Sequence, residues 1–135
     1  MNDINYFNKA RDASKFSDFY KCHTGCVVVY KKHIISIGFN SNKTHPLQKI
    51  YNKERFIDDS TPHCLHAEIM ALVFLKERTD IKWHNVDIYT YRENKYGELR
   101  MAKPCKSCMA LIKSLGIKKI HYTINNGYAN TILEK

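Results

Sequence analysis

Hydrophobic spacing in this chain switches repeatedly between a period of three to four and a period of two, and that alternation confines it to a sheet covered by helices. Ile4, Tyr6, Phe7, Ala10, Ala13, Phe16, Phe19 and Tyr20 recur at helical spacing, so residues Ile4 to Tyr20 read as an amphipathic helix lying on a sheet. Val27, Val28, Val29 and Tyr30, then Ile34, Ile35 and Ile37, are strand-forming runs separated by Lys31–Lys32, which predicts a hairpin of 26–30 with 33–39. From Asn40 to His63 no period persists, and Pro46 and Pro62 interrupt the segment. A loop of this length in a compact domain is more often functional than idle, although Gln48 to Arg55 could form a short helix within it. Leu65 to Arg78 is built of strong helix formers behind the breaker Pro62. Val86 to Tyr91 reads as a strand and Asn94 to Gly97 as a turn. Pro104 then opens a helix from about Cys105 to Leu115, which Gly116 closes. Ile117, Ile120, Tyr122 and Ile124 mark a half-buried strand before the turn Asn125–Asn126–Gly127. The order is helix, hairpin, long loop, helix, strand, helix, strand and tail: an α/β arrangement with no linker to divide residues 1–135.

Composition excludes several classes. Apolar residues are 44% and charged residues 26% of the 135, with too few Gly and Pro for a fibrous or low-complexity chain. The longest purely apolar run is Ile69 to Leu75, and Met1-Asn2-Asp3 has neither a basic nor an apolar leader character. No membrane association is expected, and the default compartment is the reducing cytoplasm. Twenty-two Lys and Arg against 13 Asp and Glu leave a net charge of +9, which favours anionic partners such as nucleotides, nucleic acid or acidic lipid. The basic residues are scattered, so a solvated surface explains most of them. Five cysteines, an odd number, argue against a closed disulfide framework and for metal ligation, catalysis or buried thiols.

Cysteine spacing narrows that choice. His66-Ala67-Glu68 stands at the start of one predicted helix, and Pro104-Cys105-Lys-Ser-Cys108 at the start of the next. Cys105 and Cys108 are three apart, so their sulfurs share a helix face and can grip one ion. In a helix's first turn, unpaired N–H groups and the helix dipole favour thiolates, the form that binds metal. One imidazole and two thiolates suit Zn²⁺, and three protein ligands leave a fourth tetrahedral position open, as in a catalytic site. Zinc can bring the pKa of water to about 7, and Glu68, two residues from His66, is placed to carry protons without ligating. Each motif alone has a plainer explanation. His-x-Glu is common on surface helices, and Cys-x-x-Cys could be a redox pair or half of a zinc ribbon, with Cys22 and Cys26 as the other half. Together, in this order, they form the signature of zinc-dependent nucleobase deaminases.

From about Cys22 to Thr123 the chain resembles the cytidine and deoxycytidylate deaminase superfamily. The segments that carry the resemblance are Gly25-Cys-Val-Val-Val, Ile35-Ser-Ile-Gly-Phe-Asn40, His66-Ala-Glu68, Pro104-Cys-Lys-Ser-Cys108 and Gly116-Ile-Lys-Lys-Ile-His-Tyr122. The resemblance implies a three-layer α/β/α fold with a mixed sheet of four to five strands, both zinc-bearing helices on one face, and an assembly of identical subunits. It also implies that Asn40 contacts a sugar hydroxyl, that the backbone of Ala67 contacts the base, and that Tyr122 lies close to substrate. The run after Cys108 looks more like the deoxycytidylate branch than the transfer-RNA adenosine branch, so cytosine is favoured over adenine. The short tail after Tyr122 departs from the relatives and puts the fifth strand and the usual subunit contacts in question.

Cys22, His23, Cys26, His63 and Cys64 could assemble a second, structural zinc site, but buried core thiols are the favoured reading, since Cys26 begins an apolar strand. His45, with Tyr51, Arg55 and Phe56 nearby, could wall the site or clamp a phosphate, or simply be exposed. Three functions remain open. They are hydrolytic deamination of a small cytosine nucleotide or nucleoside, foremost (deoxy)cytidylate; deamination of cytosine in single-stranded DNA or RNA; and a non-catalytic zinc-stabilised binding module. A purely structural site would have no use for Glu68, which disfavours the third.

Overall fold

The structure, a computed structural model, describes residues 3–18, 22–41 and 66–133. Among these residues, three α-helices, α1 (Asp3–Ser14), α2 (Ala67–Leu72) and α3 (Lys106–Leu115), accompany five strands, β1 (Cys22–Tyr30), β2 (His33–Phe39), β3 (Val86–Asn94), β4 (Lys119–Ile124) and β5 (Gly127–Ile132). The strands form one mixed sheet in the order β2-β1-β3-β4-β5. β1 is antiparallel to β2 and β3, β3 and β4 are parallel, and β5 is antiparallel to β4. A parallel neighbour requires a crossover, and α3 supplies it between β3 and β4.

Alternation along β1 divides the core. Val27 and Val29 point to one face, where Tyr6, Phe7 and Ala10 of α1 cover them together with Tyr89 and Tyr91 of β3. Cys26 and Val28 point to the other, among Ile69 and Leu72 of α2, Leu111 and Ile112 of α3, and Ile88 and Ile120. The layering is therefore α/β/α, with α2 and α3 on one side. Two glycines let the helices come close. A Cβ on Gly25 would lie 1.9 Å from the Ala10 carbonyl oxygen of α1, and one on Gly38 would lie 2.2 Å from the Ala67 carbonyl oxygen of α2. Beneath α1, the buried His121 ring stacks on Tyr89 with centroids 4.1 Å apart and sets Nε2 3.2 Å from Asp87 Oδ2. Tyr89 in turn donates to Asp3 Oδ1 at 2.6 Å, tying the first turn of α1 to the sheet.

The expected elements are present, with three shifts in extent. The first helix stops at Ser14, because Lys15, Phe16 and Ser17 donate to carbonyls three residues back, a tighter turn that leaves Phe16 exposed. The helix expected from Leu65 to Arg78 is regular only over Ala67–Leu72. The Leu72 carbonyl then accepts from both Leu75 and Lys76, and burial of Leu75 turns the chain while Phe74 faces solvent. β1 and β3 run longer than expected, because Cys22–Gly25 pairs with Tyr91–Asn94. The doubt about a fifth strand is corrected. A two-residue turn at Asn125–Asn126, with Asn126 at φ 65°, returns the chain directly beside β4, so six residues suffice and no second crossover helix is needed. The other hairpin, β1–β2, turns through Lys31 and Lys32 at φ 52° and 66°. The short helix suggested for Gln48–Arg55 lies outside the described residues.

Candidate active site

Two helix starts meet on the α2–α3 face. His66 is the N-cap of α2, in extended geometry, and its carbonyl accepts the Met70 N–H at 3.1 Å, so Ala67 and Glu68 fall in the first turn. Cys105 is the N-cap of α3, directly after Pro104, and Cys108 follows within the first turn. Gly116, left-handed at φ 93°, ends that helix as expected. His66 Nδ1 lies 3.3 Å from Cys108 Sγ and 3.4 Å from Cys105 Sγ, and the three ligand atoms all lie within 4.8 Å of one another. Nδ1, not Nε2, is therefore the imidazole atom offered to an ion. One nitrogen and two sulfurs converging at this spacing fit Zn²⁺, and no fourth His, Cys, Asp or Glu joins them among the described residues.

The electrostatics agree with that donor set. Cys105 is pushed down to about 3, first by the hydrogen bond from Cys108, against its partial burial, with His66 assisting. Cys108 is pushed up because it donates that hydrogen bond and is buried. Glu68 is only 5% exposed, and burial raises its carboxyl above the usual range, opposed first by His66. Below it on β1 the fully buried Cys26 thiol is pushed up by desolvation and by the Glu68 charge.

A cavity of about 200 Å³ opens beside the cluster, lined by Thr24, Asn40, His66, Ala67, Glu68, Arg92, Met101, Ala102, Lys103, Pro104 and Cys105. Asn40, just past β2, is fixed there twice. Its Oδ1 accepts the Thr24 N–H at 3.0 Å and its own N–H donates to the Thr24 carbonyl at 3.1 Å.

His66, Ala67, Glu68, Cys105, Cys108 and Asn40 are therefore brought together. Tyr122 is not. It faces the core behind β4, with its hydroxyl 2.8 Å from Thr131 Oγ1, and takes no part in lining the cavity. His45, His63, Cys64 and the Cys22 side chain lie outside the described residues. His23 and Cys26 cannot serve one ion, since His23 Nδ1 sits 3.3 Å from the Ser14 carbonyl on the α1 side while Cys26 is buried on the opposite face. Sequence reading passes over Thr24, Arg92 and Met101. Thr24 and Arg92 are partners across β1 and β3, a register that no local pattern announces.

Residues 1–124 match the family model described as cytidine and deoxycytidylate deaminase zinc-binding region. A comparison with curated protein sequences finds no match. Among solved structures, the dCMP deaminase of cyanophage S-TIM5 in its apo form is similar at a TM-score of 0.63 and 22% identity, covering 90% of this chain and 84% of that one. The same phage enzyme in complex with dCMP and dUMP is similar at 0.61 and 20%, covering 90% and 82%. A cytidine deaminase from Burkholderia pseudomallei is similar at 0.65 and 17%, covering 98% and 93%. At such identities the likeness is one of fold.

Proposed function

Because the chain belongs to the cytidine and deoxycytidylate deaminase family by its zinc-binding region, we propose that it hydrolyses the amino group of cytosine in a small nucleotide or nucleoside, foremost (deoxy)cytidylate, giving the uracil compound and ammonia. The observation that carries this reading is the buried Glu68 carboxyl in the same cavity as the converging His66, Cys105 and Cys108. A structural metal site has no need of a proton carrier.

Those three residues would hold the ion, which when bound supplies Lewis acidity that makes water a nucleophile near neutral pH. Glu68 does the proton work. Its carboxylate takes a proton from the attacking water and delivers it to the ring nitrogen N3, making C4 electrophilic; it then takes the second proton and passes it to the departing amine. Water oxygen is gained at C4, and the C4–N bond breaks with its electron pair leaving on ammonia. A carboxyl whose proton affinity is raised by burial suits both directions of transfer. Asn40 would contact a sugar hydroxyl, and the Ala67 backbone would contact the base.

The net charge of +9 keeps a second reading alive, deamination within single-stranded nucleic acid. Incubating the protein with CMP, dCMP, cytidine and a cytosine-containing oligonucleotide, and measuring uracil product and ammonia, tests both. A polynucleotide substrate releases many counterions, so its affinity should fall by about a thousandfold or more between 50 and 200 mM salt, whereas a mononucleotide gives a shallow slope. No uracil product from any of the four would refute the deaminase reading.

A further inference from the structure

We propose that the Thr24 hydroxyl hydrogen-bonds the 2′-hydroxyl of a ribose in the cavity, so that the protein takes cytosine ribonucleosides and ribonucleotides in preference to their 2′-deoxy counterparts. The inference rests on the deaminase reading and adds to it a sugar class and the residue that selects it.

Alternation along β1 aims Thr24. Cys26 and Val28 face the α2–α3 side of the sheet, so Thr24, two residues before Cys26, faces it too, whereas His23 turns the other way and lies against the Ser14 carbonyl. Cys26 lies beneath Glu68, and one same-face step along a strand is roughly 7 Å. That step leads from the floor under the proton carrier to the wall of the cavity, where Thr24 is half-buried. Cytosine carries its sugar on N1, across the ring from C4, so a base reacting beside Glu68 sets its sugar about one such step away.

The lining singles out the hydroxyl. Thr24 is the only hydroxyl-bearing residue among the described residues that line the cavity; the others, Asn40 apart, are charged, apolar or committed to the metal cluster. Its backbone is fully engaged by Asn40, the N–H at 3.0 Å and the carbonyl at 3.1 Å, but its Oγ1 makes no hydrogen bond among the described residues. These two bonds extend the β1–β2 pairing one residue beyond Gly25 and Phe39 and hold Thr24 opposite Asn40, the residue assigned to a sugar hydroxyl. Facing positions on neighbouring strands set their Cβ atoms about 4.5–5.5 Å apart. Two polar side chains at that spacing match hydroxyls on adjacent ring carbons, a pair that ribose has at C2′ and C3′ and 2′-deoxyribose lacks. A threonine hydroxyl can donate or accept, and its branched side chain is stiff, so it gives up little freedom on binding. A site that hydrogen-bonds a substrate hydroxyl discriminates against the analogue without it.

The test uses the zinc-loaded full chain with cytidine, 2′-deoxycytidine and their 5′-monophosphates. In each pair the wild type should favour the ribose compound in kcat/KM. Thr24→Val keeps the shape of the side chain and removes the hydroxyl, and it should shrink that preference about 3- to 10-fold, chiefly through KM for the ribose compound. Thr24→Ser, which retains a hydroxyl, should keep most of the preference. Calorimetric titration with the products uridine and 2′-deoxyuridine reads the same preference without turnover. A wild type that is indifferent to the 2′-hydroxyl or favours its absence, or a preference unchanged in Thr24→Val, overturns the inference and leaves the deaminase reading standing. If none of the four compounds is deaminated, the deaminase reading falls; a preference for uridine that Thr24→Val diminishes then supports the ribose contact on its own, and one that it leaves intact overturns the contact as well.

Discussion

Replacing Gly38 by alanine would place a methyl carbon 2.2 Å from the Ala67 carbonyl oxygen, 2.7 Å from the Ala71 amide nitrogen and 3.0 Å from the Ala71 Cβ. The two nearest atoms are backbone, so no side-chain rotation relieves the overlap; β2 and α2 would have to part by most of an ångström. Overpacking of this kind costs about 1–3 kcal/mol, which for a chain of this size lowers Tm by roughly 3–5 °C per kcal/mol. The displaced element is the one whose start carries His66, Ala67 and Glu68, and misplacing reacting groups by about 1 Å can reduce rate about a hundredfold. Gly25→Ala is the matched control. Its methyl would lie 1.9 Å from the Ala10 carbonyl oxygen and 2.6 Å from the Ser14 nitrogen, on the opposite face. Both variants should melt earlier, but only Gly38→Ala should also lose zinc affinity in chelator competition and turnover of cytosine substrate. An unchanged Tm with full activity in Gly38→Ala would refute the close-packing argument. Equal loss of zinc affinity in the two variants would refute the claim that β2 sets the position of the site through α2.

Glu68→Gln should retain zinc by metal analysis while turnover drops by about 10²–10⁴-fold or more, since one group serves two proton transfers; near-normal turnover would remove the mechanism. Cys105→Ser and Cys108→Ser should each be purified with little zinc, and chelating the wild-type metal should lower Tm, because an ion bound only by the folded chain stabilises it. Tyr91 is pushed up to about 12, by burial and then by Glu93, and Tyr89 is raised further by burial and Asp3. Both folded values lie above the unfolded phenol at about 10, so their contribution is complete below that pH and is lost as pH rises through the folded values. Melting curves between about pH 8 and 12 should show a fall that Tyr91→Phe makes shallower.

The candidate cluster was legible in the sequence because each half is local. A ligand or proton carrier two or three residues from its neighbour at a helix start is a short-range pattern, and Pro104 and Gly116 mark that helix at both ends. Only the meeting of the two halves needed the fold. Arg92 was illegible for the opposite reason: its place at the cavity depends on its register with Thr24 and on Thr123 from a strand distant in sequence. Tyr122 shows the limit of transfer by position, since alternation along β4 turns it towards Thr131 and the core. The early end of the second helix was also hidden, because Val73 and Phe74 are acceptable helix residues and only the burial of Leu75 decides the turn. A tail this short is too short for a crossover but not for a hairpin, and the turn at Asn126 makes β5 the second strand of one.

Lys31 and Lys32 are the only residues other than glycine and asparagine at positive φ among those described. Two-residue hairpins favour this geometry but are made most easily by Asn-Gly, and the left-handed region costs an ordinary residue about 1–2 kcal/mol. This unfavourable turn lies at the far end of β1 from Thr24, six residues or roughly 20 Å away along the strand. Among the described residues, conformational cost and the candidate chemistry are therefore spatially separate, unlike proteins whose strain sits in the active site. Installing Asn-Gly at the turn would add thermal tolerance without touching the catalytic groups, and that reserve could absorb substitutions around the cavity that change which base or sugar it accepts. The β1–β2 turn is thus a natural starting point for directed evolution of specificity in this scaffold.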